Sequence, residues 1–304
     1  MSEQRSISRV VRDAWRKNGP EVKGLLNGAI PAFVTQRSPR DVLDGIPVFC
    51  YHLVESEAFA ADLEFLSING YQTLRGRDFV DYLQGNCTLP ERSVLLTVDD
   101  GPRNFFDVAL PLLKRYEARI TAFIAPGLHA FAAAEEDTEA RPMTWEELAA
   151  AHATGLVEFQ SHTLESRFVP DWPAPAALSG CKPALEAARR GAPLAFAEDL
   201  RRSIELIQSR LPGTVVNQLA FPMYLGNQRA TREASAIGIA ACYWGLVPGR
   251  PLNRAGDSPL AISRVSDEFL RRLPGQGRVS PRDLFGVRRR RIQAARAWRA
   301  RYGG

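Results

Sequence analysis

Cysteine, methionine and histidine are all scarce, at four, three and four residues in a chain of 304. The cysteines (Cys50, Cys87, Cys181, Cys242) stand far apart and form no Cys-x-x-Cys pair. Free thiols in a reducing compartment are therefore the simpler reading. No run of about 18 apolar residues occurs, so no stretch reads as a membrane-spanning helix. The first twenty residues are polar and basic and lack the apolar core of a secretory signal. A cytoplasmic protein is the expectation. Glycine (23) and proline (21) are too few for a collagen-like or low-complexity chain. Internal repeats of solenoid length are also missing.

What is present is ordinary globular composition, 45% hydrophobic and 24% charged. The net charge of +5 is unevenly placed. Between Arg282 and Arg301 eight arginines face one acid, Asp283, so the remainder of the chain is slightly acidic. The pI of 9.2 thus reports mainly a tail. Three parts are expected: a basic N-terminal extension over 1–44, a central domain over 45–281, and an Arg-rich tail over 282–304. In the tail, Phe285, Ile292, Ala295 and Tyr302 recur at spacings that would put them on one helix face. That pattern suits peripheral contact with an anionic membrane at its inner face. One basic run without a reading module gives no reason to expect a nucleic-acid partner.

Between these ends, strand and helix signals alternate. Strands are expected at 46–51, 93–98, 120–125, 156–160, 215–221, 239–244 and 260–265. Helices are expected around Phe59–Leu66, Phe105–Tyr116, after Thr144, at Ala197–Arg210 and at Gln228–Ile237. Thr144 and Glu147 have capping-box spacing. Residues 167–193 read as a long loop. Such alternation implies a parallel sheet with crossover helices, as an α/β barrel or an open sheet.

The strongest chemical signal is Leu95-Leu96-Thr97-Val98-Asp99-Asp100-Gly101-Pro102. Two adjacent carboxylates end a buried apolar strand, where unpaired charge would cost several kcal/mol. A turn with a capping Asp is the bland alternative. A second signal, Ser161-His162-Thr163-Leu164-Glu165-Ser166, also follows a strand and makes His162 a candidate metal ligand. His129 and His152 carry no motif and read as structural.

These segments together resemble the polysaccharide deacetylase (NodB-homology) family over about residues 46–266. Thr97–Gly101 resembles its T-F-D-D-G motif, Ser161–Thr163 the start of its H-[ST]-x-x-H motif, and Ala220–Asn227 its A-Y-P-Y-G-x-[YF]-N stretch. Tyr51-His52 and Ile262–Val265 resemble the subgroup acting on poly-N-acetylglucosamine-like substrates. The resemblance implies a distorted (β/α) barrel of about seven parallel strands with its site at their carboxyl ends. It also implies removal of an acetyl group from an N-acetylated amino sugar with a divalent metal, zinc being the expected ion. By position, Asp99 would be the general base, with Arg264 holding it ionised. Asp100 and His162 would be metal ligands. The Met223 N–H would help hold the oxyanion. His52, Pro222, Tyr224 and Trp244 would contact substrate; Trp244 has core packing as its alternative.

Three departures stand out, one being that the aromatic expected after Pro222 is Met223, with Tyr224 displaced by one. The family's second motif histidine is Ser166 here, so Glu165, His52 or a water held by Ser166 would complete the metal set. No histidine follows His162, so the leaving amine needs another proton source, for which Asp99 returning the proton it took is the candidate. A degenerate, non-catalytic member that binds a saccharide or a partner is the alternative function.

Overall fold

The computed structural model describes residues 29–129, 132, 141–167, 169, 195–280 and 283–284. The expected loop over 167–193 and the expected tail helix lie almost wholly outside them. Eight strands form one sheet: β1 (Val48–Tyr51), β2 (Gln72–Thr73), β3 (Ser93–Asp99), β4 (Ile120–Ile124), β5 (Val157–Ser161), β6 (Gln218–Ala220), β7 (Ala241–Tyr243) and β8 (Val265–Ser266). The main order is β7-β6-β5-β4-β3-β1-β8, with β2 pairing β3 on the side, and every pairing is parallel. The seven strands of the main path curl into the distorted (β/α) barrel expected from the sequence.

Closure is made by one segment. Ile262 bridges Tyr243 of β7, and Val265 and Ser266 pair with Phe49 and Cys50 of β1. The sequence suggested a strand over 260–265. Instead Pro259–Ala261 is a 3₁₀ turn and only Val265–Ser266 is strand. The chain must cross from β7 to β1 here, so it cannot stay paired with one neighbour. The helix near Phe105–Tyr116 also differs: Phe105–Ala109 is π-helical before Leu110–Tyr116 becomes α. Pro111 cannot donate to the preceding turn, and the Leu110 N–H reaches back to Phe105 O.

Period-two alternation sorts the side chains. Val48, Leu95, Phe123, Ala220, Ala241, Tyr243 and Ile262 face inward and meet Phe79, Val80 and Leu83 of the helix Gly76–Leu83, which floors the barrel. Phe49, Tyr51, Leu96, Val98, Ala122 and Phe159 face outward beneath the helices. Ser56–Ile68 buries Phe59, Leu63 and Leu66 on its helical stripe. Trp145–His152 starts with the expected capping box, Thr144 accepting from the Glu147 N–H and Glu147 accepting from the Thr144 N–H. Upstream of β1, Phe33 and Val34 insert into the main core. Arg272 and Arg278 donate to the Val34, Gln36 and Arg37 carbonyls and tie that segment to the chain's other end. No described helix is long and apolar enough to cross a membrane.

Candidate active site

By the parity of β3, Asp99 points into the barrel mouth with Leu95 and Thr97, and it is 2% exposed. A lone carboxylate there would cost several kcal/mol. Arg264, in the closing segment, is equally buried and answers it: Nη1 donates to Oδ1 at 2.7 Å and Nη2 to Oδ2 at 3.0 Å. Its guanidinium lies over the rings of Tyr224 and Phe123, 5.2 and 5.7 Å from their centroids. Burial alone would raise the Asp99 carboxyl; Arg264, with His162 and His52, outweighs it and holds it at about 2.

Asp100 leaves the strand with φ 68 and so turns to the rim instead of the lumen. Gly101 continues the turn at φ 62, where a Cβ would meet the His129 ring and Ile124 at 2.9 Å. Only glycine suits that step. Across the mouth, His162 Nδ1 lies 2.9 Å from the Ala220 carbonyl. A carbonyl only accepts, so Nδ1 carries a proton, and Nε2 is the ring nitrogen turned towards Asp100. That Nε2 is 3.6 Å from Asp100 Oδ1. A carboxylate oxygen and an imidazole nitrogen facing at this distance are a donor pair that could hold a cation between them, and the carbonyl-oriented imidazole is the support metal-ligating histidines use. The pair therefore fits a divalent ion.

The expected ligand candidates separate at this point. Ser166, at φ 54, donates its hydroxyl to Asp100 Oδ1 at 3.2 Å. Glu165 is not drawn to the pair: it is half exposed and bound to Arg167 at 2.8 Å. The loop that leads to them from His162 is clamped. Leu164 N–H donates to Asp199 at 2.9 Å, the Ser161 and Ser203 hydroxyls meet at 2.7 Å, and Gly127 N–H donates to Leu164 O at 2.8 Å. A Cβ on Gly127 would stand 2.7 Å from that carbonyl.

Opposite lies a strained turn. Met223 and Tyr224 have φ of 56 and 65 in succession, an arrangement non-glycine residues keep only where neighbours enforce it. Pro222 is buried and opens the turn. The bonds that close it are donated by the Tyr224 and Leu225 N–H groups to Phe221 and Pro222, so the turn does not consume the Met223 N–H. Tyr224 OH is 3.4 Å from Nδ1 of the half-buried His52. Trp244 is not brought to the mouth. One residue past the inward Tyr243, it takes the other face, packs edge-on against Phe221 at 4.7 Å and donates its indole N–H to Leu260 O.

Cys50 and Asp199 were not singled out by sequence reasoning. Cys50 pairs with Thr97 in register, and its Sγ is 3.5 Å from Asp99 Oδ2. Inward parity with Val48 was the available signal. Cys50, His52 and Asp99 offer three donor atoms within 4.8 Å of one another. Burial pushes the Cys50 thiol well above its usual range, and Arg264 already holds both Asp99 oxygens. A cation there would compete with the guanidinium for Asp99, so the chemistry of the donors favours the Asp100–His162 pair. Asp199 carried no motif at all; burial raises its carboxyl to about 6.

Residues 86–242 match the family model for polysaccharide deacetylase, a span that includes Asp99, Asp100, His162, Ser166 and Met223 but not His52 or Arg264. A poly-beta-1,6-N-acetyl-D-glucosamine N-deacetylase of Escherichia coli K12 is 28% identical over 153 residues, 41% of this chain and 21% of that protein. One of the same name from Staphylococcus aureus is 31% identical over 111 residues, 36% of this chain and 37% of that protein. The chain thus spans well under half the length of these curated relatives. The solved structure of IcaB from Ammonifex degensii superposes with a TM-score of 0.58 at 25% identity, covering 81% of this chain and 96% of that one.

Proposed function

Because this chain belongs to the polysaccharide deacetylase family, we propose that it is a divalent-metal-dependent hydrolase that removes the acetyl group from an N-acetylated amino sugar of a saccharide, glycolipid or glycoside. The observation that carries this reading is the mouth of the barrel: a carboxylate kept ionised by Arg264 beside an Asp100–His162 pair that converges at 3.6 Å. N-acetylglucosamine is the sugar favoured by the names of the relatives above.

Asp100 and His162 would hold the ion. When bound, it supplies Lewis acidity, lowering the pKa of a water and polarising the acetyl carbonyl. Asp99 accepts the proton of the attacking water. With its carboxyl at about 2, Asp99 is ionised at every working pH but is a weak base. Arg264 therefore trades base strength for a fixed, charged acceptor. The Met223 N–H donates to the oxygen that gains charge as the carbonyl becomes tetrahedral. His52, beside Tyr224 on the rim, delivers a proton to the leaving amine, a role for which the sequence offered no late histidine. The rings of Tyr224 and His52 meet edge to face, centroids 5.6 Å apart, which limits where His52 can point.

Acetate release from N-acetylglucosamine oligosaccharides, measured after chelation and after Zn²⁺ return, tests the reading. Metal-restored release supports it. Saccharide binding without acetate release at any metal loading would favour the non-catalytic alternative, which Ser166 at the second ligand position keeps open.

A further inference from the structure

His52 sits on the short link between β1 and the helix Ser56–Ile68. The register of β1 with β3 runs to Tyr51 against Val98, after which His52 and Leu53 leave the sheet. Two residues beyond His52, one side chain takes both backbone groups of the buried Val54. The Val54 N–H donates to Asn104 Oδ1 at 3.1 Å, and Asn104 Nδ2 donates to the Val54 carbonyl. Asn104 is itself buried. An asparagine amide carries an acceptor and a donor in one plane, as a peptide group does, whereas an ionised aspartate lacks the donor. Asn104 stands five residues after Asp99 on the same turn. That turn is fixed in its own right: the Arg103 N–H donates to Arg141 O at 2.7 Å and the Phe105 N–H to Pro102 O at 2.9 Å. His52 thus lies in a closed frame, with the β1–β3 ladder on one side and the Asn104–Val54 pair on the other. Within that frame a ring nitrogen comes within 4.8 Å of an Asp99 oxygen.

We propose that Asn104 is a positioning residue for proton delivery: by gripping Val54 it sets His52 at a fixed reach from the atoms that Asp99 serves. The inference rests on the deacetylase reading above and on the role given there to His52. Amide cleavage is the step that needs this. As the C–N bond breaks, its electron pair goes to nitrogen, and nitrogen takes a proton from the protonated imidazole. Without that proton the sugar would have to leave as an amide anion. A proton donor misplaced by about an ångström forfeits much of its rate advantage. Tyr224 limits how the His52 ring tilts, but it does not hold the backbone that carries the ring. Asn104 does. Truncating it takes the partner from two buried backbone groups at once, and the link would shift to bring them to water. The base and the acid are therefore tied to one turn, Asp99 directly and His52 through Asn104.

The test compares two substrates on the metal-loaded full chain. An N-acetylglucosamine oligosaccharide needs its nitrogen protonated, whereas 4-nitrophenyl acetate releases a stable phenolate without a proton. Asn104→Ala should cut kcat for acetate release from the oligosaccharide by about 10²-fold and keep nitrophenyl acetate turnover within about threefold. In a His52→Ala background the same substitution should cost nothing further on the oligosaccharide, because both changes act through one imidazole. Asn104→Ser keeps a hydroxyl against Val54 and should fall between the parent and Asn104→Ala, which guards against a misfolded alanine variant. A readout apart from turnover is the His52 ring-proton signal of the metal-free protein, assigned by its loss in His52→Ala. It should move or broaden in Asn104→Ala, while that of His152, which lies against Phe159 and Thr214, stays. An unmoved His52 signal, an equal loss on both substrates, or losses that add in the double variant would each overturn the positioning role and leave the deacetylase reading standing. If the parent releases no acetate from the oligosaccharide, both fall.

Discussion

The guanidinium of Arg264 grips both carboxylate oxygens of Asp99 across the closing seam of the barrel, at 2.7 and 3.0 Å, with both side chains buried. The two residues are 165 positions apart in sequence. One ion pair therefore fixes the ionisation of the proposed base and fastens the last strand segment to β3.

Breaking that pair should be costly. Arg264→Met leaves a buried carboxylate without its partner, and a loss of roughly 3–5 kcal/mol is expected. Asp99 is lowered from 3.8 in the unfolded chain to about 2 in the fold. A depressed acid stabilises the fold above its unfolded pKa and loses that contribution as pH falls through the folded one. In the parent protein the pair's contribution should fade between about pH 4 and 2, by roughly 2 kcal/mol. Urea titrations across that window check both points. A variant as stable as the parent at pH 7 would contradict the role given to Arg264.

Asp99 and Asp100 should separate cleanly by substitution. Asp100→Ala removes an anionic ligand and should lose bound metal. Asp99→Asn should retain metal and lose acetate release by about 10²–10⁴-fold. Metal content by elemental analysis beside acetate release decides between them. Near-parental turnover in Asp99→Asn would remove Asp99 from the mechanism.

Asp199 should govern the His162–Ser166 loop without touching substrate. Its carboxyl accepts the Leu164 N–H at 2.9 Å, and burial raises it from 3.8 to about 6. A raised acid favours the fold at low pH. That contribution is complete below the unfolded pKa and is lost as pH rises through about 6. Asp199→Asn keeps an acceptor oxygen and should flatten the stability profile between pH 4 and 6 by roughly 2–3 kcal/mol. Asp199→Ala removes the acceptor and should weaken Zn²⁺ binding as the loop loosens. A pH profile identical in Asp199→Asn and the parent would refute the assignment.

Thiol chemistry should distinguish the cysteines by position. Cys87 is exposed, whereas Cys50 and Cys242 are buried, with burial raising Cys242 to about 12 and Cys50 well above its usual range. Iodoacetamide on the native protein should label Cys87 and spare Cys50 and Cys242 until denaturant is added. Peptide mapping reads the result. Rapid native labelling of Cys50 would mean that the barrel mouth is open to solvent at β1.

Much of this protein was legible locally. The apolar run before Asp99-Asp100, the helical stripe of Phe59, Leu63 and Leu66, and the Thr144–Glu147 capping box each depend on neighbours within a few residues, and each folds as its pattern requires. Chain order also places Asp100, His162 and Met223 after strands, hence at one end of a parallel sheet. Tertiary structure decided what depends on register and closure. Cys50 enters the mouth because it pairs with Thr97, whereas Trp244 leaves it because the chain alternates after Tyr243. Glu165 and Ser166 are adjacent in sequence and both polar, yet a left-handed backbone at Ser166 and the bond from Leu164 to Asp199 send one hydroxyl to Asp100 and one carboxylate to Arg167. Backbone sign and strand parity are settled by packing across the whole barrel, and side-chain type alone does not encode them.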